Sequence, residues 1–115
     1  MKVTIYHNPR CSKSRQTLQL LRDRGVEPEI VEYLASPPSA AEMKNILALL
    51  GKEPRDLMRR KEAPYAALGL ADDSNSADDL IAAMLAEPIL IERPIVVSGG
   101  AAVLGRPPEN VLKLL

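Results

Sequence analysis

Cys11 is the only cysteine among the 115 residues and His7 the only histidine, and both fall in YHNPRCSKSR, residues 6–15. A lone thiol is most often a buried small hydrophobe, but the surroundings of this one point to chemistry. Residues 3–6 (VTIY) have strand character, and a helical pattern begins at Ser12. Cys11 therefore sits where a strand hands over to a helix. The first N–H groups of a helix lack partners and, with the helix dipole, favour an anion. The same field lowers a thiol's pKa, and the thiolate is the nucleophile. Arg10, Lys13 and Arg15 add positive charge. Ser14 lies within reach of a hydrogen bond to the sulfur, and His7 adds a further cation if protonated. Such a loop can both hold an oxyanion and attack it.

Other thiol and phosphate chemistries are excluded by spacing. A phosphatase-type loop needs arginine six residues after the cysteine, where Thr17 stands. A C-x-x-C redox pair needs a second cysteine where Ser14 stands. No Walker-type or G-x-G-x-x-G loop occurs, and His7 with Cys11 is too small a set for zinc.

Two arginines flank the second half of the chain's strand signals, in Glu92-Arg93-Pro94 and Gly105-Arg106-Pro107. If the strands between them pair antiparallel, Arg93 and Arg106 emerge at one end as an anion clamp. The arginine fork suits a tetrahedral oxyanion because it grips two oxygens at once. A further basic run, Arg55, Arg59, Arg60 and Lys61, reads as a solvated helix face from which one arginine could complete a trio.

The elements that must carry these residues are legible in outline. Strand 3–6, a helix from Ser12 to a stop at Gly25, and strand 29–33 (EIVEY) form a βαβ unit. Ser39 to Glu42 and Ser76 to Asp79 are capping boxes that start helices. The first buries Met43, Ile46, Leu47 and Leu50. The second buries Leu80, Ile81, Met84 and Leu85. Pro54 and Pro64 suit the first positions of short helices. Residues 94–97 and 101–104 form a hairpin about Gly99-Gly100, and a last helix from Pro107-Pro108 turns Val111, Leu112 and Leu115 inward. The expectation is one α/β domain over residues 1–115, with a mixed sheet of about four strands. It divides into βαβ 1–35, a helical insertion 36–90 and ββα 91–115.

Composition bounds the rest. Hydrophobic residues make up 46% of the chain, with no Trp or Phe, so the core is aliphatic. A domain this size buries roughly two-thirds of its unfolded surface and needs no disulfide or metal staple. Fifteen basic residues balance fifteen acidic ones, which is no signature for nucleic acid or membrane binding. With one cysteine, no signal-peptide pattern and no apolar run near membrane length, a cytoplasmic setting is expected, and a monomer because no long unsatisfied apolar stripe stands out.

The stretches VTIYHNPRCSKSR, LMRRKEAPYAALGLADD, ERPIVV and GRPPE together resemble the glutaredoxin-dependent arsenate reductase family, in its shorter branch. The resemblance spans essentially all 115 residues. It implies a thioredoxin-like fold and the reduction of arsenate to arsenite. In it Cys11 matches the nucleophile, His7 a residue that helps lower the thiol pKa, and Ser14 a hydroxyl beside the sulfur. Arg59, Arg93 and Arg106 match the oxyanion-binding trio, the family pattern favouring Arg59 over Arg60. Pro94 matches the cis-proline facing the cysteine. No cofactor is implied; glutathione is a co-substrate, and glutaredoxin resolves the mixed disulfide. Two other classes fit parts of the pattern. One is a monothiol glutathione-dependent disulfide oxidoreductase, which has little need of three cations around its sulfur. The other is a redox-linked transcriptional binding protein, which typically carries the C-x-x-C that Ser14 breaks.

Overall fold

The structure, a computed structural model, describes residues 2–115. The described chain divides into two compact units, residues 2–36 with Arg93–Leu115, and Pro37–Glu92.

The first unit is built on a four-stranded mixed sheet. Strands β1 (Val3–Tyr6), β2 (Glu29–Val31), β3 (Ile95–Ser98) and β4 (Ala101–Leu104) lie in the order β2-β1-β3-β4. β1 pairs parallel with β2 and antiparallel with β3, Ile5 facing Ile30 and Val96. The β-branched residues of β1 alternate, Val3 and Ile5 buried and their neighbours half-buried, as a strand covered on one face requires. Helix α1 (Ser12–Asp23) and a terminal 3-10 helix (Pro108–Leu114) are the other elements. Val3, Ile5, Leu18, Leu21, Val96 and Val111 form the core. Each such aliphatic side chain contributes about 1.5–3 kcal/mol on burial. This is the mixed sheet of the expected thioredoxin-like fold.

Differences from expectation lie at element ends. β2 stops at Val31, and residues 32–36 turn away, Ala35 and Ser36 N–H both donating to the Glu32 carbonyl. Tyr33 is buried all the same. The last helix is 3-10 rather than α, and it leaves Leu115 44% exposed instead of inward. The 93–94 peptide is cis as expected, and the 106–107 peptide is cis as well.

The second unit contains α2 (Ala40–Leu50), α3 (Ala63–Ala67) and α4 (Ala77–Ala86), with 3-10 turns at Pro54–Leu57 and Pro88–Leu90. Both capping boxes form, the Ser39 and Ser76 hydroxyls accepting from Glu42 and Asp79 N–H at 3.1 Å. Gly51 ends α2 in the left-handed region, φ 66°, where glycine carries no Cβ penalty. Met43, Leu57, Met84 and Leu90 are among its fully buried side chains. Leu50 and Leu85 are half-buried rather than in the core.

Candidate active site

The loop between β1 and α1 is shaped by its own backbone. His7 N–H donates to the Val31 carbonyl at 2.8 Å and extends the ladder one step past β1. Asn8 then closes a turn, its carbonyl accepting from Cys11 N–H and its Oδ1 from Arg10 N–H, both at 3.0 Å. Pro9 sits second in that turn, where a fixed φ suits. The turn delivers Cys11 as the N-cap of α1, in extended conformation. No acidic residue occupies the helix's first turn, so nothing there competes with an anion.

Cys11 is a free cysteine, 8% exposed. Burial pushes its thiol up, but the Ser14 N–H, the Arg93 charge, a hydrogen bond from the Arg93 side chain and the Lys13 N–H together outweigh it, and the thiol ionises below its ordinary value. The thiol makes no cap hydrogen bond of full geometry; it is the ionised form that these donors favour. Of the cations adjacent in sequence, Arg10, Lys13 and Arg15 are exposed. Arg15 is turned back on the loop, its Nη1 donating to the Pro9 carbonyl at 2.9 Å. The guanidinium at the sulfur comes from the far end of the chain.

The Ser14 side chain departs from expectation. It is fully buried, and its hydroxyl lies 2.6 Å from His7 Nδ1 and accepts from Asn8 N–H at 3.0 Å. Its backbone amide, not its hydroxyl, acts on Cys11. His7 is also buried, and that burial pulls its pKa down, with the charges of Arg22 and Arg15 acting in the same direction and Glu32 opposing. It is therefore a neutral ring near pH 7 rather than an added cation. The hydrogen bond between His7 Nδ1 and the Ser14 hydroxyl holds the first turn of α1 against the loop.

β3 and β4 pair with Ile95 opposite Leu104, and Gly105 N–H donates to the Pro94 carbonyl at 2.9 Å. The next residues outward, Arg93 and Arg106, thus share one end of the hairpin, and Arg106 Nη1 donates to the Arg93 carbonyl at 3.3 Å. Arg93 Nε and Nη1 are buried, while Arg106 is exposed. Arg59 belongs to the second unit, where it is half-buried, pairs with Glu62 Oε1 at 2.8 Å, and donates its N–H to the Leu90 carbonyl at 2.7 Å. Arg60 is exposed. Arg55 is committed to that unit's own structure, its Nη1 donating to Tyr65 Oη and to the Leu70 carbonyl.

Thr17 and Gly105 are parts of this site that sequence reasoning passed over. Thr17 Oγ1 donates to the Lys13 carbonyl at 2.8 Å and the Gly105 carbonyl at 3.3 Å. This joins α1 to the hairpin end that bears both arginines. A Cβ on Gly105 would overlap Thr17 Oγ1 and fall 2.8 Å from Pro94 Cγ. The signal available in sequence was a glycine immediately before Arg-Pro.

A pH consequence follows. Because folding lowers the Cys11 pKa, the thiolate stabilises the folded state fully above the unfolded thiol's pKa of about 8.5. That contribution is lost as pH falls through the folded value. Thiolate absorbance should titrate below a free thiol. In Arg93→Met the midpoint should move up, and turnover should fall by about 100-fold. An unshifted midpoint in Arg93→Met would remove that arginine from the sulfur.

Known proteins share this architecture. The ArsC family model matches residues 6–114. An uncharacterized Escherichia coli K12 protein, YfgD, is 56% identical over 99% of this chain and 97% of its own. An arsenate reductase of Rhizobium meliloti is 50% identical over the full chain and 82% of its own length. The solved structure of an arsenate reductase from Vibrio cholerae superposes with a TM-score of 0.96 at 52% identity, covering 100% of this chain and 98% of that one. With a lone low-pKa thiol capping α1, two arginines at one hairpin end, and near-complete coverage by these relatives, the chain belongs to the ArsC family.

Proposed function

We propose that this protein reduces arsenate to arsenite, with Cys11 as nucleophile and glutathione and glutaredoxin as the source of electrons. The observation that carries the reading is the Cys11 thiol, lowered by backbone amides and by Arg93 in a chain with no second cysteine. The Cys11 thiolate attacks arsenic, a sulfur–arsenic(V) bond forms, and an arsenate oxygen leaves as water. The Ser14 and Lys13 amides, Arg93 and Arg106 hold the remaining oxygens. Arg59 joins them on the strength of the family resemblance. Arsenate, like phosphate, carries roughly 1.5 to 2 negative charges near neutral pH, so this array offsets its repulsion from the thiolate. Glutathione then forms a disulfide with Cys11 as the sulfur–arsenic bond breaks. The bonding pair goes to arsenic, and arsenic(V) becomes arsenic(III). Glutaredoxin removes the glutathione and returns Cys11 to the thiol. His7 and Ser14 act as positioning residues, holding the loop so that the Ser14 amide faces the sulfur.

The reading is tested by arsenate-dependent NADPH oxidation in the presence of glutathione, glutaredoxin and glutathione reductase. Turnover with arsenate and none with phosphate is expected, because thiols do not reduce phosphate. Equal rates with and without arsenate, or activity only on added disulfides, would replace this reading with disulfide exchange.

A further inference from the structure

A reducing thiol must be held near Cys11 before it reacts. A cavity of about 250 Å³ lies beside the loop that carries Cys11. It is walled by residues 7–10 of that loop and by Glu32, Leu34 and Ala35 of the turn after β2. Its rim carries two opposite charges, Arg10 and Glu32, both exposed. Neither side chain forms an ion pair or hydrogen bond among the described residues. Elsewhere on this unit an exposed pair does close, Arg22 with Glu27 at 3.1 Å. Leu34, 44% exposed, supplies apolar wall.

We propose that this cavity receives the reducing thiol as a zwitterionic thiol peptide of the glutathione class, with its α-ammonium on Glu32 and its α-carboxylate on Arg10. The inference rests on the reductase reading. An amino-acid headgroup presents both charges on one carbon, and two unpaired rim charges of opposite sign match it better than either sign alone. The peptide's methylenes lie against Leu34 and Pro9. Arg10 is the residue before Cys11, so a peptide held there sits on the same loop as the sulfur. In the step served, the peptide sulfur bonds to Cys11 Sγ, the sulfur–arsenic pair passes to arsenic, and the thiol proton goes to solvent.

The test uses S-methylglutathione, which keeps the charges and peptide but cannot react, titrated into the ¹⁵N-labelled full chain. Saturable amide shifts are expected at residues 7–10 and 32–35. In Glu32→Lys, an exposed change that removes only the charge opposing the fall in the His7 pKa and so leaves that ring neutral, affinity should fall about tenfold. Simple attraction predicts the opposite, since the ligand is net negative and the variant gains a cation. Affinity that is unchanged or tighter in Glu32→Lys, or shifts centred elsewhere, overturns the proposal. Kinetics separate it from the reading beneath. Turnover of arsenate with an unchanged KM for glutathione in Glu32→Lys removes the cavity and keeps the reductase. Saturable binding at the cavity without any arsenate turnover removes the reductase and keeps a peptide-thiol site.

Discussion

Cys11→Ser should lower arsenate turnover by about 10⁴-fold or more, while the folded protein becomes slightly more stable. The two effects have separate causes. Serine oxygen cannot form the disulfide through which, in the proposed mechanism, two electrons reach arsenic, and the chain has no other cysteine to substitute. The N-cap of α1, by contrast, makes no side-chain cap hydrogen bond with cysteine in place. Serine is among the best N-cap residues, and a formed cap is worth about 1 kcal/mol. Urea denaturation below the pH at which the folded thiol ionises, where no thiolate stabilisation is lost, should therefore show a higher midpoint beside lost activity. Loss of both would mean that serine disrupted the loop. Retention of a tenth of the activity would place the nucleophile on another residue.

Gly105→Ala should destabilise the protein by about 2–3 kcal/mol and raise the Cys11 pKa. The added methyl has no room, since its position overlaps Thr17 Oγ1 and lies 2.9 Å from Thr17 Cγ2 and 2.8 Å from Pro94 Cγ. Thr17 is fully buried and rooted in α1, so it cannot swing into solvent. The hairpin end must move instead, and Arg93 moves with it, away from the sulfur whose ionised form it favours. Denaturation and thiolate titration measure the two effects on one sample. Thr17→Ala combined with Gly105→Ala should recover part of both losses, because neighbours sharing one clash are not additive. A Gly105→Ala protein with native stability and an unmoved thiol pKa would show that the hairpin end is not held by this contact.

These two residues mark what could and could not be read from the sequence. Cys11 was legible because part of its field comes from chain neighbours: Asn8-Pro9 make the turn, and the first turn of α1 supplies the amides. The capping boxes were legible for the same reason, their partners being three residues apart. The same-end placement of Arg93 and Arg106 followed from a short hairpin whose register its turn defines. Properties set by burial and distant contact were not legible. Arg10, Lys13 and Arg15 looked like the charges acting on the thiol, yet the guanidinium that lowers its pKa is Arg93. His7 read as a cation, but tertiary burial holds it neutral. Ser14 read as a hydroxyl for the sulfur, and its hydroxyl is taken by His7 and Asn8. Gly105 stood out only as the neighbour of Arg106, because the side chain it must clear lies 88 positions away. β2 was read too long because 29–33 keeps its strand composition where the backbone already turns at Glu32.

The central claim is that Cys11 passes two electrons from glutathione to arsenate. It is tested most directly by incubating reduced protein with glutathione and arsenate, omitting glutaredoxin, and measuring intact mass. The account predicts one glutathione on Cys11, forming with arsenate and absent with phosphate or with neither anion, together with stoichiometric arsenite. An adduct that forms equally without arsenate, or arsenite without any adduct on Cys11, would contradict it.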